Sequence, residues 1–321
     1  MADFVLPRQK RNLAKRLAPA LQVCLPAIAL VVMLTVIFWI RPTAMSYFGF
    51  TLLFKLAVPL MFAALAQMLV IMLGDIDLSI GSFVGFVTCV TALYLDTAPM
   101  LAIVIYIGSI FVYAGVGLVI HLRQLPSIIV TLGMSFIWLG VAIIILPAPG
   151  GAAPAWLSGF MAWRPPLLPL PVLLAIAAAL IGHFVISQSS YGAVLRGAGG
   201  NPRAIQRAGW SITVIRAAVY AAAGLLGLIA GIALTGLTTS GDPNVAPAYT
   251  LLGVGAVILG GGSFTGGIVS PVGTVIGALT LALAGSLLSF LQVPPTWQIG
   301  AQGGILFLVL AGRILLSDKK S

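Results

Sequence analysis

The sequence predicts an all-α, polytopic transmembrane helical bundle, and three observations carry that expectation. Sixty per cent of the 321 residues are hydrophobic, only 7% are charged, and the mean hydropathy is +1.16. The apolar residues are gathered into runs of the length, about 20, that spans a hydrocarbon core of roughly 30 Å at 1.5 Å rise per residue. No polar stretch is long enough to bury a core of its own, so residues 1–321 read as one transmembrane domain with no soluble domain.

The candidate spans are about 18–40, 50–73, 80–95, 99–120, 126–146, 168–187, 212–235, 249–262, 272–291 and 297–316. That is about ten, the third and eighth the shortest, and the bundle is expected to include broken or reentrant helices. The first run follows Arg8, Lys10, Arg11, Lys15 and Arg16, but it is too long for a signal-peptide core and ends at Trp39-Ile40-Arg41-Pro42 without a small-residue cleavage site. It is expected to stay as a span, with residues 1–17 as a cytoplasmic tail.

The net charge of +10 reflects 16 Lys and Arg against six acidic residues, all Asp. In a soluble chain this would suggest a nucleic-acid partner; here it reads as topology, because basic residues mark cytoplasmic loops. With both termini cytoplasmic and an even number of spans, thirteen of the sixteen fall inside: the five above, Arg123, Arg196, Arg203, Arg207, Arg216, Arg313, Lys319 and Lys320. Cys24 and Cys89 lie in apolar runs without metal-ligand spacing, and His121 and His183 have no second ligand, so no metal site is expected.

One stretch departs from the apolar pattern. Gly74-Asp75-Ile76-Asp77-Leu78-Ser79-Ile80-Gly81-Ser82 places two carboxylates and two hydroxyls between long hydrophobic runs, where each charge costs upwards of about 2.5 kcal/mol. Asp77 is expected to cap the helix that follows. Two readings of Asp77, Ser79 and Ser82 stand side by side: a helix break beside a translocation path, or a turn that shapes the fold and never meets solute. A second break, Gly260-Gly261-Gly262-Ser263-Phe264-Thr265-Gly266-Gly267, is glycine-rich but carries no lysine, and Gly-Lys-Ser/Thr occurs nowhere, so the chain has no nucleotide-binding P-loop. Gln67, Thr131, Ser135, Gln298 and Gln302, with Trp138 and Trp297, are the remaining polar and aromatic candidates for a path; such residues also bond helix to helix.

The largest hydrophilic segment expected inside, residues 187–211, suggests a turn at Gly199 and Gly200, an N-cap at Asn201, Pro202 at the first helical position, and a short helix ending near Gly209. Arg203 and Arg207, four apart, share a face. The segment is either a docking element for a partner or a connector bearing topological arginines. At residues 147–171, seven prolines with Trp156 and Trp163 suggest an external loop lying at the membrane interface.

Taken together, Gly74 to Ser82, Gly199 to Gly209 and Leu259 to Gly267 resemble, in order and spacing, the permease subunits of ribose-type ABC sugar importers. The resemblance runs from about Phe50 to Leu316. Each of the three motifs departs from that family's pattern: Asp75 stands where a second glycine is usual, Gly262, Phe264 and Thr265 alter the third motif, and Arg203 takes a place often acidic.

The resemblance implies a non-enzymatic transport subunit of a bacterial inner membrane, in contact with lipid and with no catalytic residue of its own. It implies one half of a permease dimer with a second copy or a paralogue, fed by a periplasmic solute-binding protein and driven by a cytoplasmic ABC ATPase that holds the ATP and Mg. Residues 187–211 become the coupling segment, with Gly199, Gly200, Asn201, Pro202, Arg203, Arg207 and Gly209. Gly74, Asp75, Asp77, Ser79, Ser82, Gly260, Gly261, Ser263, Gln67 and Gln298 become the helix-break or path residues. The alternatives are a permease for another small polar solute (a nucleoside, polyol or signalling sugar derivative) and a secondary transporter, which would show more intramembrane ionisable relays. An intramembrane enzyme would need a nucleophile with its base, and none is evident.

Overall fold

A computed structural model describes residues 26–294, together with 297, 300, 301, 303, 304 and 307; the basic tail, Gln298, Gln302 and most of the tenth candidate span lie outside the described residues. The described chain is helical: α1 (Pro26–Ile40), a 3-10 turn Pro42–Met45, α2 (Tyr47–Lys55), α3 (Ala57–Met72), α4 (Ile80–Tyr94), α5 (Pro99–Leu122), α6 (Ser127–Ile145), α7 (Ala155–Ala162), α8 (Leu170–Gly182, continued by a π turn to Gln188), α9 (Ser190–Gly200), α10 (Pro202–Arg207), α11 (Ile212–Thr238), α12 (Ala248–Leu259) and α13 (Pro271–Phe290).

Nine of the ten candidate spans coincide with described helices, but they are not nine straight crossings. Five are long and apolar enough to cross a bilayer: α5, α6, α8 with its π turn, α11 and α13. A sixth arises if α2 and α3, bent by 43°, count as one span. The apolar windows at 80–95 and 249–262 become α4 and α12, of 15 and 12 residues. At 1.5 Å per residue these are about 22 and 18 Å long, short of a full crossing. Hydrophobicity finds the segment and is blind to where a break ends it.

α11 is the pillar of the bundle, packed against α3, α4 and α5, while α12 and α13 close on α3. α3 is buried on almost every side. At the other extreme, only 17% of the apolar window of α6 is buried; Ile129, Leu132, Phe136, Ile137 and Ile144 face outward, as on a helix that meets lipid. α7 rests at one end of the bundle with Trp156 and Trp163 exposed, the place expected of interfacial aromatics. At the same end the 239–247 loop folds back onto α4: Gly150 and Gly241 pair their backbones, and Thr88 Oγ1 accepts the Asp242 N–H at 3.2 Å.

Small residues set how closely α11 approaches α4. A Cβ at Gly231 would stand 2.5 Å from Val87 Cβ, whereas one at Gly108, on the open face of α5, would touch nothing within 4 Å. Gly231→Val is therefore expected to cost about 1–3 kcal/mol by overpacking, read as a lower thermal midpoint of the detergent-solubilised protein. Gly108→Ala leaves that midpoint unchanged or slightly raised, because alanine is the better helix former.

Candidate functional site

The α3–α4 break is held by side chains from five helices. Gly74, at φ +81°, turns the chain out of α3 in a conformation that suits a residue without a Cβ. Beyond it the backbone polar groups lose their helical partners, and polar side chains replace them. Ser127 Oγ accepts the Ile76 N–H at 3.2 Å, and Thr131 Oγ1, one turn along α6, accepts the Leu78 N–H at 3.0 Å. The Gln67 carboxamide on α3, oriented as its neighbours require, donates to the Asp77 carbonyl at 3.1 Å and accepts the Asp77 N–H at 3.2 Å. Thr250 Oγ1 on α12 accepts the Gly81 N–H at 3.1 Å in the first turn of α4.

The two carboxylates have different partners. Asp77 is 1% exposed. Its Oδ1 accepts the Ser79 N–H at 2.7 Å and the Ser79 hydroxyl at 2.6 Å, and its Oδ2 accepts Tyr113 Oη on α5 at 3.2 Å. The expected cap is thus displaced: Asp77 bonds the N-cap residue Ser79, and the first turn of α4 is served by Thr250. The Tyr113 ring packs with Phe83 and Trp138, centroids 4.7 and 6.1 Å away, and Phe86 lies beyond them, 5.0 Å from Trp138. Asp75 turns the other way. Its Oδ2 meets Arg216 Nη1 of α11 at 2.6 Å and accepts Tyr220 Oη at 3.2 Å. Arg216, counted from sequence as a topological charge, is an ion-pair partner, and Tyr220 stands four residues further along the same face.

Ser82 is half-buried and takes part in none of these bonds. In the second break, Gly260 packs backbone to backbone on Gly273 of α13, Gly261 takes φ +102°, and Ser263 is half-buried with its Oγ 2.9 Å from Thr265 Oγ1.

The segment 187–211 matches its expected capping but not its expected turn. Asn201 Oδ1 accepts the Ala204 N–H at 3.1 Å, Pro202 opens α10, and Gly209 at φ +89° follows it. Arg203 and Arg207 are exposed. Gly199 and Gly200, however, are the last helical residues of α9 and form no turn. The reason is close approach: a Cβ at Gly199 would collide with the Met72 carbonyl and lie 2.7 Å from Gly267 N.

That contact brings the three sequence motifs to one point. The Met72 carbonyl, at the end of α3, accepts the Gly267 N–H at 2.8 Å. A Cβ at Gly266 would stand 2.9 Å from the Gly199 carbonyl oxygen and 3.0 Å from Gly74 N. The start of the first break, the end of α9 and the end of the second break therefore touch through bare backbone. Three segments far apart in sequence form a single junction. Among the described residues no group of three or more His, Cys, Asp or Glu is placed to hold a metal ion.

Residues 49–310 match the family model described as the branched-chain amino acid transport system / permease component. The chain belongs to this permease family. It is 35% identical to the xylose transport system permease protein XylH of Haemophilus influenzae over 153 residues, 48% of this chain and 40% of that one. It is 31% identical to the ribose import permease protein RbsC of Bacillus subtilis over 48% of this chain and 47% of that one. The probable ABC transporter permease protein YphD of Escherichia coli is 27% identical over 81% and 79%. The chain thus spans less than half the length of the xylose and ribose permeases it matches. No solved structure matches. Family and apolar helices together make this a multi-pass membrane permease.

Removing the Gln67 carboxamide leaves both polar groups of the buried Asp77 peptide bare. Gln67→Leu is expected to cost about 1–3 kcal/mol for each group left without a partner. Ser82→Ala, outside the network, stays within about 0.5 kcal/mol. Thermal midpoints of the two purified variants check both values.

Proposed function

We propose that this chain is the permease subunit of an ATP-driven ABC importer that moves a sugar or sugar-like solute across a bacterial inner membrane. The reading rests on the family match, on the relatives named for xylose and ribose, and above all on the junction, where the capped segment α9–α10 lies directly against both helix breaks. In this reading α10 is the coupling helix. Its exposed Arg203 and Arg207 face a cytoplasmic ATPase, which holds the ATP and Mg; a periplasmic binding protein delivers solute to the opposite end, and a second permease, identical or paralogous, completes the path. Both chain termini and the α9–α10 end are then cytoplasmic.

The geometry gives the mechanism its local steps. A push on α10 reaches the end of α9 through the Asn201 cap, and α9 bears on the Met72 carbonyl and on Gly267 without an intervening side chain to absorb the motion. Both breaks are thereby displaced together, and α4 and α12, which meet where Thr250 bonds the Gly81 N–H, are repositioned. Asp77 and Ser79 are sealed within the bundle in this conformation, so their contribution is to hold the break; any meeting with solute requires the network to open.

The test uses the permease produced with its ATPase and binding protein. Reversing both arginines of α10, Arg203→Glu with Arg207→Glu, is expected to lower binding-protein-stimulated ATP hydrolysis and uptake at least tenfold while the amount of permease in the membrane is unchanged. Juxtaposing like charges at an interface costs several kcal/mol, and 1.4 kcal/mol is already a factor of ten. Undiminished uptake with full co-purification of the ATPase removes α10 from the docking role.

A further inference from the structure

We infer that Asp75 and Arg216 are positioning residues of the transport cycle: their ion pair is a second attachment between the coupling segment and the α3–α4 break, and the break follows α10 only while the pair is intact. The inference rests on the reading of α10 as the coupling helix.

The segment from α9 to the start of α11 touches the break at two places, one on either side of α10. On the α9 side the contact is Gly199 against Met72 and Gly267. Such a contact resists compression and offers nothing under tension. On the other side the chain turns at Gly209, Ser211 Oγ caps α11 by accepting the Val214 N–H at 3.4 Å, and Arg216 follows within the next turn. Ser211 and Arg216 are about 7.5 Å apart along a continuous helix, so a displacement of the α10–α11 turn is carried to the guanidinium without loss. The 2.6 Å bond to Asp75 is charge-assisted, the stronger class of hydrogen bond, and it resists both tension and sliding.

What the pair pulls on is the break itself. Asp75 directly precedes Ile76, whose N–H rests on Ser127, and stands two residues before Asp77, whose peptide rests on Gln67. Tyr220 Oη, 3.2 Å from the same Oδ2, keeps the carboxylate turned toward α11. The surroundings distinguish this pair from a staple in a packed core. A cavity of about 390 Å³, lined in part by Asp75, Arg216, His121, Gln124 and Pro202, opens beside it. Pro202 is the first residue of α10. The pair therefore has room to swing as α10 moves, and water can reach each charge when it does.

The experiment uses the complete permease–ATPase complex in lipid nanodiscs, with Cys24 and Cys89 replaced by Ala and a single cysteine at Ser82→Cys, in the first turn of α4 and outside the hydrogen-bond network. The rate of maleimide labelling is compared with and without trapping by ATP and vanadate. In the parent, trapping is expected to change the rate at least threefold. Arg216→Lys, which keeps the charge, retains the change. Arg216→Gln and the isosteric Asp75→Asn each abolish it while ATP hydrolysis continues, because the motor runs and the break no longer follows. A nucleotide-dependent change that persists in either neutral variant overturns the inference, as does a parent complex that hydrolyses ATP without any change at position 82. A parent permease that retains no ATPase subunit at all refutes the coupling reading instead, and is told apart by co-purification before any labelling. Asp75→Asn keeps the size and hydrogen-bonding capacity of the side chain, so it serves if Arg216→Gln does not fold.

Discussion

Backbone amides and carbonyls withdrawn from water must find partners, and inside a bilayer nothing but protein or trapped water supplies them. Every other feature of the bundle is arranged around how residues 74–81 meet that demand. A continuous helix would satisfy each group within itself. Here the helix stops, and Gln67, Ser127, Thr131 and Thr250 each offer a side-chain partner to a freed backbone group. Because those donors and acceptors sit on α3, α6 and α12, the break also fixes the positions of helices far apart in sequence. Bonds of this kind are directional and short, so the network has few arrangements in which all groups are satisfied, a condition that favours discrete states over gradual deformation.

The junction between α3, α9 and the second break uses the opposite material. Where the hub depends on specific side chains, the junction depends on their absence: Gly199 and Gly266 let backbones meet at separations that a Cβ would forbid, and Gly267 packs almost as tightly. A contact without side chains has no rotamers through which to yield. The junction is stiff because backbone meets backbone, and the hub is specific because each polar group has a named partner.

Much of this was legible in the chain. Nine of the apolar windows fell on described helices, and Asn201-Pro202 announced a capped start because capping is local chemistry, decided within four residues. The anomaly at Gly74 to Ser82 announced a break. Three things were not legible, for related reasons. Windowed hydropathy cannot see that α4 and α12 stop short, since their ends are set by contacts with each other and with the 239–247 loop. Gly199-Gly200 reads as a turn by composition, yet it is helical because Met72 and Gly267 press against it. Arg216 reads as one more topological arginine, because its partner lies 141 residues away. Its spacing from Tyr220, four residues on one helical face, was the available signal, and it points to a shared partner only once Asp75 is known to lack one.

Asp75 itself shows how a charge becomes tolerable in such a place. The ribose-type pattern leads one to expect glycine there, and a glycine would ask nothing of α11. A carboxylate asks for a cation, and Arg216, near the start of α11, supplies it at 2.6 Å. Removing either charge leaves the other partly buried and unmatched, the costly case, whereas removing both would cost far less. The pair is therefore poor evidence of stability. Its meaning lies in what it connects: one residue in the break, one near the start of α11, and the cavity beside them. A bond that adds little stability and joins a helix break to the helix beside it is better understood as a linkage than as a brace.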